Sequence, residues 1–288
     1  MDNTMAVPVL QKRREKRINQ RRKTIFFLVF AITFLAAIFI VGSMSGEQAL
    51  ATSLKNKNVL PCREYPFGTD WLGRDMLART LKGLSVSIGI GIVASVINSI
   101  IALALGIAAA TFGKKVDTVA GFLVDTAMGL PHLLLLILIS VALGKGTYGV
   151  MIAVAITHWP QLTRVVRGEI LQLKEQNYIK INERLGHSKI IIAIKHMVPH
   201  IFPQFLVGLI LLFPHAILHE ASVTFLGFGL PPEQPGIGVI LSESMKYLSL
   251  GMWWLAVFPG FALLLTVMLF DLLGDSVRKI IDPHSSQN

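Results

Sequence analysis

The amino-acid sequence predicts an all-α polytopic membrane protein with about six transmembrane helices. Of its 288 residues, 53% are hydrophobic and 15% are charged, whereas a soluble domain carries about 25% charged residues. The apolar residues also gather into runs near the roughly 20 residues that a helix needs to cross a bilayer. Six such runs are predicted as spans, at residues 25–43, 84–112, 118–143, 148–163, 204–225 and 252–273.

The positive charges indicate how these spans are oriented. The net charge is +10, but the Lys and Arg residues flank the apolar runs, which is typical of membrane topology and not of nucleic-acid binding. With the N-terminus in the cytoplasm, 19 of the 27 Lys and Arg residues fall on the cytoplasmic side and eight on the other. Both termini are therefore predicted to be cytoplasmic. The first run is interpreted as a retained helix, because it is long for the apolar part of a signal peptide.

The spans divide the chain into an arm, a first helix, an external segment, a core and a tail. A basic cytoplasmic arm, residues 1–24, precedes the first helix, and an extracytoplasmic segment at residues 44–83 follows it. Residues 84–276 form a five-helix core with a long cytoplasmic loop at 164–203, and a cytoplasmic tail occupies residues 277–288. Long ordered loops are usually functional, so we expect a role for both long connections.

The cytoplasmic loop is predicted to form two short helices joined by a glycine turn. Apolar residues recur at helical spacing from Tyr178 to Leu185, Gly186 follows them, and a second apolar run at residues 190–194 is ended by Pro199. Charged residues occupy the other side of the first helix, which is therefore amphipathic. The pattern alone leaves open whether its apolar face lies on the lipid surface or docks to a partner protein.

This loop resembles the coupling loop of ABC-importer permeases, known as the EAA loop. The family pattern has a glycine, nine further residues and a short apolar stretch that ends in proline, and Gly186 and Pro199 fit it. This chain departs from the family at Lys180, Ile181 and Asn182, which stand where Glu-Ala-Ala is usual. The resemblance implies that the loop contacts an ATPase, with candidate coupling residues Tyr178, Glu183, Gly186, Lys195, His196 and Pro199.

A second segment is similar to the C-type subunits of peptide and nickel importers. Residues 67–79 read FGTDWLGRDMLAR and resemble the Gly-Thr-Asp-x-x-Gly-Arg-Asp segment that follows the first helix in that branch. Two glycines permit tight turns, and two Asp with two Arg residues can form a local ion-pair network. We expect a structural external clasp, with substrate binding as the alternative. The candidate clasp residues are Gly68, Thr69, Asp70, Gly73, Arg74 and Asp75.

A third segment, residues 221–232, reads ASVTFLGFGLPP and resembles the family segment that follows the fifth helix. Gly227 and Gly229, with the two prolines after them, are predicted to break the helix at the external boundary. Irregular backbone at membrane depth is tolerated only inside protein or beside water. The segment is therefore a candidate for the external gate.

Ionisable residues within the predicted spans are candidates for the transport pathway, because such residues are costly in a membrane. His215 and His219 are four residues apart on the fifth span and share one face, a spacing that can ligate a metal; hydrogen bonding to neighbouring helices is the alternative. Asp125 and His132 are seven residues apart on the third span, near one face. His158, near a helix end, is predicted to be an interfacial anchor. The candidate pathway and gate residues are Asp125, His132, His215, His219, Glu220, Gly227 and Gly229.

The resemblance implies a type I ABC-importer permease fold in the bacterial cytoplasmic membrane. It implies a homologous second permease, two ABC ATPase subunits that bind ATP and Mg²⁺, and an extracytoplasmic solute-binding protein. We expect the chain to be a pore-forming subunit without catalysis or cofactor, since it has no Gly-x4-Gly-Lys-Ser/Thr loop. Expected substrates are peptides or nickel and other metal chelates, with a slight lean toward nickel from the histidines of the fifth span. An ion-driven secondary transporter of small solutes is the alternative function.

Overall fold

The computed structural model describes the backbone of residues 6–281 and the side chains of residues 21–46 and 49–281. All regular elements in that part of the chain are helices. The arm's side chains up to residue 20 and the tail from residue 282 lie outside the described residues. The helices are α1 (Ala6–Met44), α2 (Gly46–Leu50), α3 (Met76–Thr111), α4 (Lys114–Gly129), α5 (His132–Ala142), α6 (Gly146–Ala155), α7 (Trp159–Lys174), α8 (Asn177–Arg184), α9 (Lys189–Ile192), α10 (Val198–Phe225), α11 (Ile237–Leu248) and α12 (Trp254–Ile281).

Four stretches of helix in the described chain are long and apolar enough to cross a membrane. The number rises to five if the bent pair of α4 and α5 counts as one span. The sequence-based count of about six is therefore higher than the structure's, although the predicted polytopic, all-helical class is confirmed. The four stretches are Arg21–Met44, Met76–Thr111, Lys189–Phe225 and Trp254–Ile281.

The predicted third span, residues 118–143, is broken near its middle. The axes of α4 and α5 meet at 94°. Leu130, which separates the two helices, has an extended backbone with φ −88° and ψ 142°. Pro131 follows it, and a residue that precedes proline is pushed out of the helical conformation. The run at residues 118–143 was predicted as one span, but this proline separates two helices.

The predicted fourth span, residues 148–163, is also wrong as one helix, because α6 ends at Ala155 and α7 begins at Trp159. Pro160 occupies the first turn of α7, where proline's missing N–H costs no hydrogen bond. With 10 residues, α6 extends only about 15 Å, half of a bilayer core.

Helix α3 lies at the centre of the bundle, packed against α1, α7 and α10. Its small residues allow this close packing. A Cβ atom on Gly91 would lie 2.8 Å from the Ile217 side chain, and one on Gly106 would lie 2.6 Å from Val166. Ala94 and Ala102 are fully buried. The small residues of α3 therefore let its backbone approach the neighbouring helices closely.

The connecting segments lie at two opposite ends of the bundle. At the first end, residues 51–75 pack on the start of α12, where the Trp254 indole N–H donates to the Thr69 carbonyl oxygen at 3.2 Å. At the second end, Lys174 Nζ donates to the Ala110 carbonyl oxygen at 3.0 Å, which joins the end of α7 to the end of α3. Since α3 runs from the first end to the second, the predicted clasp and the predicted coupling loop are on opposite sides.

Candidate functional site

The predicted helix–turn–helix of the cytoplasmic loop is present in the structure. Helix α8 ends at Arg184, and α9 begins at Lys189. Gly186 between them has φ +80°, a left-handed conformation that glycine adopts without the steric cost of a Cβ atom. We call residues 177–197 the coupling segment, which contains α8, this turn, α9 and the helical turn after α9.

One residue attaches α8 to the bundle while others face outward. Ile179 is fully buried in a cluster with residues of α7, α9 and the start of α10. By contrast, Tyr178, Ile181 and Leu185 are 40%, 56% and 70% exposed. These three positions are spaced by three and four residues, so they form one row on the helix surface. The predicted apolar face thus divides into a buried anchor and an exposed apolar row.

A charged pair flanks this row. Lys180 Nζ donates to Glu175 Oε2 at 2.7 Å, and this hydrogen bond lowers the pKa of the exposed Glu175 carboxyl below its ordinary value. Both side chains are solvent-exposed, and such surface pairs contribute little to stability. The charges therefore border the exposed apolar row and do not cover it.

The second half of the coupling segment differs from the prediction, because Pro199 does not end a helix. The chain stays helical from Lys189 through to Phe225. Residues Ala193–Met197, which include Lys195 and His196, form a π-helical turn that ends two residues before the proline. The proline ring crowds the carbonyl four residues earlier, which belongs to Lys195 in this turn. The coupling segment therefore continues into α10 without a flexible joint.

The clasp is built around one buried carboxylate. Asp70 is fully buried, and its Oδ2 accepts from Arg74 Nε at 2.6 Å and from Arg79 Nη1 at 2.7 Å. Its Oδ1 accepts from the backbone N–H groups of Leu72 and Arg74, both at 2.9 Å. Each hydrogen bond of this side chain is internal, which favours the structural interpretation over substrate binding.

The predicted ion-pair network exists, but its second acid is not the one expected. Asp75 is the N-cap of α3 and accepts from the Leu77 N–H at 2.8 Å. Glu243 of α11 is the second acid of the network, because its Oε2 accepts a hydrogen bond from Arg79 Nη2 at 2.9 Å. No local signal identifies this residue, because it lies 164 positions from Arg79. The network therefore fastens residues 70–79 to α11.

The glycines of the clasp permit turns and close packing. Gly68 and Gly73 both have φ +72°. A Cβ atom on Gly73 would lie 1.8 Å from the Ser53 carbonyl oxygen, so no other residue fits there. Thr69 closes the same loop, since its hydroxyl donates to the Asn56 carbonyl at 2.5 Å and accepts from the Val59 N–H at 2.8 Å.

Three histidines from separate helical elements converge inside the bundle. His132 Nε2 lies 3.2 Å from His158 Nε2, which in turn lies 3.0 Å from His219 Nδ1. The three ring centroids are 4.5 to 4.8 Å apart. The predicted pair of His215 and His219 is not brought together in this way, because the side chain of His215 is exposed and only its carbonyl contacts His219. We call His132, His158 and His219 the histidine cluster.

The breaks in the predicted third and fourth spans are what create this cluster. His132 is the first residue of α5, and His158 precedes the first residue of α7. Asn98 of α3 supports the second break: its amide donates to the Val154 carbonyl at 2.9 Å, and its Oδ1 accepts from the His158 N–H at 3.0 Å. Asn98 was not predicted from the sequence, and His158 was predicted to be an interfacial anchor, whereas it lies in this cluster. A polar residue in an apolar span, and a proline soon after a histidine, were the available signals.

The remaining pathway candidates lie apart from one another. Asp125 is exposed and paired with Arg164 at 2.5 Å, and the bend before α5 separates it from His132. The prediction that these two residues share one helix face was wrong for that reason. Glu220 is fully buried, and its Oε1 accepts from the Thr224 hydroxyl at 2.9 Å.

The glycines of the predicted gate follow the end of α10. Helix α10 ends at Phe225, and Gly227 has φ +84°. A Cβ atom on Gly229 would lie 2.1 Å from the Thr224 hydroxyl oxygen. The predicted helix break is therefore confirmed, and both glycines are needed for its geometry.

Comparison with known proteins identifies the family. Residues 101–287 match the family described as binding-protein-dependent transport system inner membrane component. The chain belongs to this family. It is therefore a permease subunit of an ABC importer, and the family works with ATPase and solute-binding partners.

Relatives of this permease cover nearly its whole length. A putative peptide transport system permease of Brucella suis is 34% identical over 93% of this chain and 90% of its own. The dipeptide transport system permease of Bacillus subtilis is 31% identical over 88% of this chain and 80% of its own. The oligopeptide transport system permease of the same organism is 34% identical over 89% and 83%.

The fold is shared with a solved transporter. The MetNI methionine ABC transporter, crystallised in inward-facing conformations, aligns with a TM-score of 0.58 at 17% identity, over 72% of this chain and 98% of its own. The predicted type I permease fold is therefore confirmed. The names of the relatives refer to peptides, so they do not support the predicted preference for nickel as the substrate. Membership of this family also does not favour the alternative function, an ion-driven secondary transporter.

Proposed function

We propose that this permease forms one half of the pore of an ATP-driven peptide importer in the bacterial cytoplasmic membrane. Relatives 31% to 36% identical to it are named as peptide, dipeptide or oligopeptide permeases. A homologous second permease completes the pore, and an extracytoplasmic binding protein delivers the peptide. Two ABC ATPases hold ATP and Mg²⁺, and this chain holds no cofactor. Both termini and the coupling segment face the cytoplasm, in accordance with the excess of Lys and Arg on that side.

The exposed apolar row on α8 is the observation that carries the coupling role. A soluble surface rarely presents adjacent large apolar side chains unless they mark an interaction site. Tyr178, Ile181 and Leu185 stand in line, at the spacing that a helix uses when it inserts into a groove. We assign the groove to the ATPase, and the Lys180–Ile181–Asn182 departure changes the contact's chemistry without removing the row.

The attachment of α8 explains how ATP-driven movement would reach the membrane helices. Ile179 ties α8 to α7 and α10 through one apolar cluster, and the π-helical turn continues directly into α10. When the ATPases close on ATP, they draw the coupling segment toward each other, and α7 and α10 move with it. The pore then changes from inward to outward opening, which requires two discrete states biased by ATP.

The coupling role is tested by placing a charge in the exposed row. In the complete transporter, Ile181→Asp buries an unpaired carboxylate at the ATPase contact, which costs more than about 1.4 kcal/mol or tenfold in affinity. We expect ATPase co-purification and peptide-stimulated ATP hydrolysis to fall by that factor, while the permease elutes as a folded protein. The matched control is Lys180→Ala on the same helix, whose side chain is outside the row. Unchanged ATPase binding by Ile181→Asp would refute the assignment.

The substrate class is tested separately, with the transporter reconstituted in proteoliposomes with its binding protein. We expect uptake of a labelled peptide that requires both ATP and the ATPase subunits. Uptake of nickel without peptide would contradict the peptide assignment but leave the coupling role intact. Uptake that needs an ion gradient and no ATPase would contradict both.

A further inference from the structure

The histidine cluster is unusual because its three rings contact one another and lack a charged partner. Within the described residues, neither hydrogen bonds nor ion pairs link these imidazoles to a carboxylate, Lys or Arg side chain. All three side chains are partly buried. The peptide-import function proposed above does not use this cluster.

The hydrogen bonds of the cluster place a lone pair of His158 at its centre. His158 Nδ1 donates to the Val154 carbonyl oxygen at 3.1 Å, so a neutral His158 carries its lone pair on Nε2. Two nitrogens, from His132 and His219, lie within 3.2 Å of that nitrogen. The Nδ1–H of His219 donates to the His215 carbonyl oxygen, so only His132 is left to donate to the lone pair. A cation at the centre would instead accept lone pairs from all three rings.

The distances suit a transition-metal ion. Metal–imidazole bonds of about 2.0–2.1 Å place ligand nitrogens roughly 2.9 Å apart at right angles and 3.4 Å apart in a tetrahedron. The two separations from His158 Nε2, 3.2 and 3.0 Å, fall within this interval. The ligand atoms of all three histidines lie within 4.8 Å of one another, so His132 and His219 approach each other when the ion binds. The Val154 carbonyl orients His158 from behind, as the outer partners of metal-bound histidines usually do.

We propose that His132, His158 and His219 bind one divalent transition-metal ion. Three imidazoles without carboxylates select zinc, nickel or copper over magnesium and calcium. His219 must release its Nδ1 proton from the His215 carbonyl, 2.8 Å away, and carry it on Nε2. Binding goes beyond peptide import, because neither peptide uptake nor ATPase coupling as proposed requires a metal.

The site keeps one side open. The three histidines line a cavity of about 290 Å³ together with His215, Gln161 and Met128. A three-histidine site with an open position holds water or an exchangeable ligand as its fourth partner. Because the ion would join the start of α5, the break before α7 and the C-terminal half of α10, it would also link α7 and α10, the helices that move with the coupling segment in the proposed transport cycle.

The experiment measures Zn²⁺ binding to the complete transporter, purified without a histidine tag and washed with chelator. We expect one Zn²⁺ per permease chain, and binding at least about tenfold weaker in His132→Gln and His219→Gln, because loss of a ligand costs no less than loss of an outer partner. His215→Ala is the matched control, since it lines the same cavity, leaves the carbonyl in place and should bind within twofold of wild type. Equal binding by all four proteins, or equal losses with His215→Ala, would overturn the proposal.

A measurement on the unmodified protein removes the dependence on variants that fold poorly. X-ray absorption at the zinc edge of the loaded transporter should show three imidazole ligands and one light atom. A spectrum dominated by oxygen ligands, or the absence of bound zinc in the loaded transporter, would overturn the three-histidine assignment. Peptide uptake by the metal-free transporter is measured in parallel. Because peptide import as proposed requires no metal, uptake should persist, and this measurement tests the proposed function independently of zinc binding.

Discussion

The clasp and the coupling segment are both connections between helices, but they use their side chains in opposite ways. The clasp buries charge: Asp70, Arg79 and Arg74 lie within the protein and pair with one another, with Glu243 as the fourth member. The coupling segment exposes apolar surface, with only Ile179 of α8 buried. The clasp is thus complete within one chain, whereas the coupling segment leaves an apolar row uncovered.

This contrast separates stability from association. A buried ion pair is a weak source of net stability, but removing one partner leaves an uncompensated charge. An exposed apolar side chain contributes little to folding and much to binding when a partner covers it. Substitutions in the clasp should therefore change unfolding, and substitutions in the exposed row should change association with the ATPase.

The largest effect is expected at the centre of the clasp. Asp70→Asn leaves Arg74 and Arg79 buried with only Glu243 as an acidic partner, and we expect a loss of about 3–5 kcal/mol in the free energy of unfolding. Equilibrium unfolding in mixed micelles measures this loss. The control is Asp75→Asn, five residues away, because asparagine caps a helix as well as aspartate does. Similar losses in both variants would show that Asp70 is not the centre of the clasp.

A smaller effect is expected at the anchor of the coupling segment. Ile179 is fully buried, and Ile179→Ala leaves a cavity among α7, α9 and α10, so we expect about 3 kcal/mol of destabilisation. Leu185→Ala removes a similar side chain that is 70% exposed, and its unfolding should change by less than about 0.5 kcal/mol. Co-purification of the ATPase, by contrast, should fall more in Leu185→Ala than in Ile179→Ala. If both variants destabilise equally, α8 has no separate anchor and exposed row.

The sequence predicted the features that depend on local signals. Gly186 as a turn, α8 as an amphipathic helix and the end of α10 before Gly227 all follow from residues within one or two turns of each other. Pro131 and Pro160 were visible too, but a proline in an apolar run kinks or ends a helix depending on its neighbours. Here Asn98 satisfies the groups freed by the second break, and that contact spans 56 or more residues.

Contacts over long sequence separations could not be predicted from one sequence. Glu243 meets Arg79 across 164 positions, and His158 meets His132 and His219 across 26 and 61 positions. The spacing of His215 and His219 on one helix therefore pointed to two side chains that the structure does not bring together, because a helix face indicates neighbours on that helix and not those across the bundle.

The smallest effect is expected at the turn of the coupling segment, and it isolates backbone conformation from packing. No atom lies within 4 Å of a Cβ atom built on Gly186, so Gly186→Ala meets only the strain of φ +80°, roughly 1 kcal/mol. Gly168 of α7 has equal space around it and no positive φ, so Gly168→Ala should stabilise the helix by up to about 1 kcal/mol.

Coupled measurements of ATP hydrolysis and peptide uptake then decide whether the turn at Gly186 transmits force. If it does, Gly186→Ala should lower uptake per ATP hydrolysed while Gly168→Ala does not, because only the first displaces α8 relative to α9. Equal coupling in both variants would mean that the turn joins the two helices without setting their relative position.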